Sequence, residues 1–284
     1  MSDWPVGLST GCFYQMSIFD VLEDIQKSGI SVIEICSYPP HLDYHDVDAV
    51  SAAAERIQQL GLEPFSFHAP FADEIDITSL NDEQRSHSLN EILQAAKAAA
   101  TLGVMHFVIH PGPEQEGKPP PEEHLRRMQN AAEALNKVSA FCHKARMSLT
   151  LENMLRHLLF GHTSDLLWIM GAIDQRNVGI CLDTGHANLS GDLDTVMYKL
   201  SGHLKMVHAA DNKGHRDDHL PPGKGYIDWH KLISKLNQTR FQGGFILEIS
   251  GDMGKSVHEL LSDAQQARQL IWDISRKIEI ESPL

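Results

Sequence analysis

Residues 178–186 read VGICLDTGH, and residues 148–153 read SLTLEN. In both, a short aliphatic run breaks off at a carboxylate, Asp183 in the first and Glu152 in the second. Short apolar runs separated by helix-length amphipathic stretches are the pattern of repeated βα units on a parallel sheet. Working outward from this pair, the pattern recurs and predicts eight strands, at 6–10, 32–36, 64–67, 106–110, 148–152, 178–183, 204–208 and 245–248. Between strands the apolar residues switch to helical spacing, as in Leu89, Ile92, Leu93, Ala96 and Ala100, then Leu125, Met128, Ala132, Leu135 and Val138, and finally Val257, Leu260, Leu261, Ala264, Ile271 and Ile274. Thr163 and Asp228 are expected helix N-caps, and the proline-rich segment 118–121 runs into Glu122 and Glu123 as a helix start.

A chain of 284 residues suits either two ordinary domains or one α/β barrel of about 250 residues. No Gly/Ser linker divides it, and the first strand lacks the GxGxxG turn of a doubly wound dinucleotide-binding sheet. The expected fold is therefore α/β, a single (β/α)8 TIM barrel forming one domain over residues 1–284. With 42% hydrophobic and 22% charged residues and no apolar run of about 20, neither disorder nor a membrane span is expected. The opening MSDWPVGLST carries Asp3 and Pro5 where a signal peptide needs a basic start and an apolar stretch. Cys12, Cys36, Cys142 and Cys181 form no CxxC pair, so a cytoplasmic location is expected. Against 24 basic residues stand 38 acidic ones, a net charge of −14 that repels a phosphodiester backbone and disfavours a nucleic-acid partner.

The chemistry is predicted at the strand ends, because active sites of such barrels form at the C-terminal face. Strands three to eight end at His68, His110, Glu152, Asp183, His208 and Glu248, six successive residues of metal-ligand type. A lone strand-end His or Glu is more often merely solvated, but six in succession, one per βα unit, are not expected by coincidence. Carboxylates facing one another in a half-buried mouth would raise one another's pKa unless a cation neutralised them. Glu152, Asp183, His208 and Glu248 offer three oxygens and one nitrogen, a set suited to Mn²⁺, Mg²⁺ or Co²⁺ and acceptable to Zn²⁺. His186, Asp217 and His219 are further candidate ligands, the last two in the loop HAADNKGHRDDHLPPGKG, where Gly223 and Gly225 permit close approach of backbone to a ligand. Lys213, His215 and Asp218 read as solvated polar residues. Lys224 is a candidate contact to substrate, and Phe13, Tyr14, Phe67 and Phe71 are aromatic candidates for packing on a sugar face.

The landmarks IEI, HAP, HPG, LEN, DTGH, HxxD, DDHLPPGKGYIDW and LEIS together make the chain resemble the xylose-isomerase-like TIM-barrel superfamily, which joins sugar isomerases and epimerases with the endonuclease IV group. The resemblance implies a central metal at Glu152, Asp183, His208 and Glu248. It implies that Glu152 and Glu248 move a proton through a metal-stabilised enediolate, and that His186 steadies substrate oxygens. The implied activity is isomerisation or epimerisation of a small sugar, sugar phosphate, keto-sugar or cyclic polyol, with a keto-polyol dehydratase as a variant of the same chemistry. In the nuclease branch the positions of His68, His110, Glu152, Asp183, His186, His208, Asp217, His219 and Glu248 hold three zinc ions, and all nine residue types are present here. The alternative reading is therefore a trinuclear-zinc phosphodiesterase or apurinic-site endonuclease. One divalent ion with Glu152, Asp183 and Glu248 carries a formal charge of about −1, whereas three with Asp217 added carry about +2, so metal number separates a neutral polyol from a phosphodiester.

Overall fold

The computed structural model describes residues 4–72, 74–174, 176–251 and 254–281. Its strands are β1 (Val6–Ser9), β2 (Val32–Cys36), β3 (Glu63–His68), β4 (His106–Ile109), β5 (Ser148–Glu152), β6 (Val178–Asp183), β7 (Leu204–Ala209) and β8 (Gly244–Leu247). Neighbours pair in parallel, and β1 pairs with β8 through Val6 opposite Phe245, so the sheet closes into a barrel in chain order. Among the described residues the returning helices are α1 (Ile18–Lys27), α2 (Val47–Gln59), α3 (Asp82–Leu102), α4 (Pro121–Lys144), α5 (Thr163–Gly171), α6 (Thr184–Leu189), α7 (Leu193–Leu200), α8 (Trp229–Gln238) and α9 (Val257–Glu281). None of these is long and apolar enough to cross a membrane.

Strands β2, β5 and β6 begin and end where the sequence predicts, and the others differ by a residue at one end or both. Helix α4 opens on Pro121, whose missing N–H would have no intrahelical partner at that position. Asp228 caps α8 by accepting from Lys231 N at 3.0 Å. The start of α5 differs from expectation. His162 keeps an extended backbone and takes the cap position, so Thr163 is the first helical residue rather than the cap.

Strand alternation sorts the barrel interior into layers. Val32, Val108, Cys181, Met206 and Ile246 form, with Phe65, a buried apolar cluster separate from the main core. Five of these stand two residues before Glu34, His110, Asp183, His208 and Glu248. Successive side chains alternate faces, so residues two apart point the same way at successive levels of the barrel. An apolar plug thus underlies a ring of imidazoles and carboxylates at the C-terminal strand ends. The intervening Ile33, Ile109, Leu182, Val207 and Leu247 face outward into the larger core beneath the helices. Pairing slips between Ile33 and Glu34 and between Ile180 and Cys181. Bulges of this kind re-aim side chains beside active sites.

Candidate metal centre

Glu152 ends β5, Asp183 ends β6, His208 stands opposite Asp183 on β7, and Glu248 follows β8. Each offers one ligand atom, and the four atoms lie within 4.8 Å of one another. His208 Nδ1 is 3.2 Å from Glu152 Oε2 and 3.2 Å from Glu248 Oε2. Asp183 uses one oxygen to cap α6, accepting from His186 N at 2.5 Å, and keeps the other free. Glu152 Oε2, Asp183 Oδ2, His208 Nδ1 and Glu248 Oε2 are all buried with no hydrogen-bond partner. Buried polar atoms are almost always paired, so four orphans converging on one point fit a cation. The donor set, three carboxylates and an imidazole, suits a divalent metal.

Two further groups adjoin this centre. His68 Nε2 lies 3.3 Å and His110 Nε2 3.7 Å from Glu152 Oε2. His186 Nε2 and His219 Nε2 lie 3.1 Å and 2.9 Å from Asp217 Oδ2, forming a second compact triad. All nine ligand candidates therefore gather at one mouth.

The imidazoles and carboxylates of the ring shift one another's proton affinities. Burial disfavours charge on the histidines, yet their acidic surroundings hold His208 and His186 well above the ordinary imidazole range, His68 at about 9 and His219 at about 10. Burial also opposes ionisation of Glu152 and Glu248, but His208 and its neighbouring histidines keep Glu152 well below the carboxylate range and Glu248 at about 2. Asp183 is the ring carboxylate whose pKa is raised rather than lowered. Burial, opposed by His186 but reinforced by Glu248, Glu152 and Asp217, pushes it up to about 7.

A cavity of about 280 Å³ opens over the ring, bordered by Glu152, His186, Asp217 and Phe71, and joins a larger one of about 570 Å³ walled by Tyr14, Tyr38, Tyr44 and Ile75. His68, Phe71, His219 and Glu248 border both, and no lysine or arginine among the described residues borders either. The Glu248 side chain is 24% exposed and that of Glu152 only 1%, so Glu248 is the more open of these two to the cavities.

Residues 22–271 match the xylose isomerase-like TIM barrel family. The chain belongs to that family. The probable endonuclease 4 of Aquifex aeolicus (strain VF5) is 29% identical over 79% of this chain and 84% of its own length. A D-tagatose 3-epimerase-like protein of known structure superposes with a TM-score of 0.83 at 24% identity, covering 98% of this chain and 99% of the other. The IolI protein, solved with a zinc atom, superposes with a TM-score of 0.80 at 18% identity, covering 96% and 99%. These two likenesses are of fold.

Some sequence candidates lie elsewhere in this xylose isomerase-like barrel. Phe67 is fully buried between inward-facing Ser66 and His68, so alternation turns it outward against Phe107, and Phe13 is likewise buried in the main core. Neither reaches a cavity, whereas Tyr14 and Phe71 do. Lys224 is exposed and borders neither cavity. The close approach at Gly225 is made by the chain itself, since a Cβ there would sit 2.2 Å from Asp211 Oδ1. Two buried carboxylates were missed. Asp211 ties down the loop after β7 by accepting from Asn212 N, Gly223 N, Ile227 N and Trp229 Nε1 at 2.9–3.1 Å. Glu34 meets His208 from behind, with Oε2 at 2.9 Å from Nε2. Both stood inside quoted landmarks, HxxD and IEI; a charged residue amid strand hydrophobics was the available signal for Glu34.

Proposed function

We propose that this protein is a divalent-metal-dependent epimerase or isomerase of an uncharged sugar, keto-sugar or cyclic polyol. The observation carrying this reading is the convergence of four orphaned atoms, from Glu152, Asp183, His208 and Glu248, beneath a cavity that two of the carboxylates enter from different sides of the barrel. These four residues would hold the metal. Bound there, a divalent ion would supply Lewis-acid polarisation of a carbonyl and its neighbouring hydroxyl oxygen. Glu152 on β5 and Glu248 beyond β8 then act as the proton-moving pair at the adjacent carbon, one removing hydrogen and the other returning it. A positioned acid or base of this kind contributes about 10²- to 10⁴-fold. His186, on the wall of the smaller cavity, is the group set to hold a substrate hydroxyl.

The lack of lysine and arginine among the described residues on both cavity walls, together with the carboxylate excess, favours a neutral substrate over a sugar phosphate. The test is solvent deuterium incorporation at the carbon beside the carbonyl, followed across a panel of ketoses, 3-keto-sugars and their phosphates with metal-replete protein. Exchange into an uncharged member, abolished in Glu152→Gln and Glu248→Gln, supports the reading. Exchange that both variants leave unchanged refutes it.

A second reading rests on the His186, Asp217 and His219 triad, which completes the nine-residue set that a three-metal phosphodiesterase would use. Uptake of three zinc equivalents with cleavage of an abasic duplex at low salt favours that reading. One equivalent without cleavage removes it.

A further inference from the structure

Three of the histidines around the centre are held alike. His68, His186 and His219 each turn Nδ1 to a backbone carbonyl, of Ala69, Asn153 and Glu248, and present Nε2 to the ring. His208 is reversed. Its Nε2 faces a carboxylate and its Nδ1 faces the ligand cluster.

That carboxylate is Glu34, fully buried on β2 and reaching across the barrel to β7. The hydroxyls of Ser9 on β1 and Ser66 on β3 donate to its two oxygens at 2.9 and 2.8 Å, and Oε2 also accepts from His208 Nε2 at 2.9 Å. Two residues earlier, the same face of β2 carries Val32, an apolar residue of the plug. Burying a carboxylate is costly unless it is paired and hydrogen-bonded, and an apolar side chain at this position would avoid that cost.

We propose that Glu34 is a positioning residue for the metal centre: by accepting the Nε2 proton of His208 it fixes the neutral ring in the tautomer that leaves the Nδ1 lone pair aimed at Glu152, Asp183 and Glu248. In the other tautomer a proton on Nδ1 would occupy the ligand position and leave Glu34 facing a lone pair. Ser9 and Ser66 hold Glu34 in turn, so β1 and β2, which bring no ligand of their own, support the centre from behind. Outer carboxylates of this type orient ligating histidines and set their tautomer. The inference rests on the metal-centre reading of the four residues.

The experiment measures zinc affinity of the full-length, metal-stripped protein by competition with a chromogenic chelator, for wild type, Glu34→Ala and Glu34→Gln. Glu34→Ala is expected to bind zinc about 10- to 100-fold more weakly. Glu34→Gln recovers most of that loss, because its carbonyl still accepts from Nε2 while Ser9 turns to accept from the amide. A merely structural Glu34 would instead lower the thermal midpoint of the metal-free protein and leave zinc affinity unchanged, a result that overturns the proposal. Nitrogen-15 imidazole spectra of zinc-loaded wild type give a check that needs no variant: His208 is expected protonated at Nε2 and bound through Nδ1, and the reverse assignment overturns the proposal. Wild-type protein that takes up no divalent metal overturns the metal-centre reading itself, whereas uptake that Glu34→Ala leaves intact overturns only the role of Glu34.

Discussion

Replacing Asp211 with asparagine changes one atom and tests how the loop bearing Asp217 and His219 is held. Oδ1 accepts from Asn212 N and Ile227 N, and Oδ2 from Gly223 N and Trp229 Nε1. Whichever oxygen becomes an amide NH₂, two N–H donors then face another donor in a fully buried site. Hydrogen bonds to a charged group are worth about 1.5–3 kcal/mol each, so losing two costs about 3–6 kcal/mol. For a chain of this size that corresponds to a fall of roughly 6–20 °C in thermal midpoint. The loss should be local in its functional effect. The loop positions Asp217 and His219, whereas Glu152, Asp183, His208 and Glu248 stand on strands or directly after them. Calorimetry combined with metal analysis is the assay, with Trp229 fluorescence reporting the freed indole. A lowered midpoint with zinc retained at the four-residue centre is expected. An unchanged midpoint would refute the pinning role of Asp211, and loss of all metal would refute the independence of the two clusters.

Two more outcomes follow from the same geometry. His68 and His219 have raised pKa values in the metal-free fold, so the folded state binds more protons than the unfolded one above the ordinary imidazole pKa of 6.5. Their stabilisation is complete below about pH 6.5 and is lost as pH rises through about 9 and 10. Thermal melts of chelator-treated protein should fall across that window and flatten when zinc is added; a metal-free midpoint constant or rising from pH 6.5 to 10 contradicts this charge assignment. Phe67→Ala should cost about 3–5 kcal/mol in denaturant unfolding, as expected for emptying a fully buried ring site, with the KM of the surviving enzyme unchanged. A changed KM at wild-type stability would return Phe67 to the substrate.

Much of the site was legible because a barrel strand ends where its apolar run ends, so the terminal polar residue announces itself. His68, Glu152 and Asp183 are of this kind, and His208 stands one residue before the end of its strand. Glu34 is not, since it lies inside a strand between Ile33 and Ile35, and only closure of the sheet brings it to a histidine 174 residues away. Asp211 draws its four donors from backbone and indole groups up to 18 residues on, which no local pattern reveals. Phe67, a candidate for packing on a sugar face, lies buried against Phe107, because neighbouring strand residues face opposite sides.

By itself the amino-acid order determined the eight βα units and, to within a residue, where each strand ends, because local periodicity and the end of each apolar run depend only on near neighbours along the chain. Only the closed barrel decided which atom of each ligand faces the centre, which histidine is turned the other way, and what lines the cavities. Those are relations across the barrel, between groups on different strands, and no local pattern carries them.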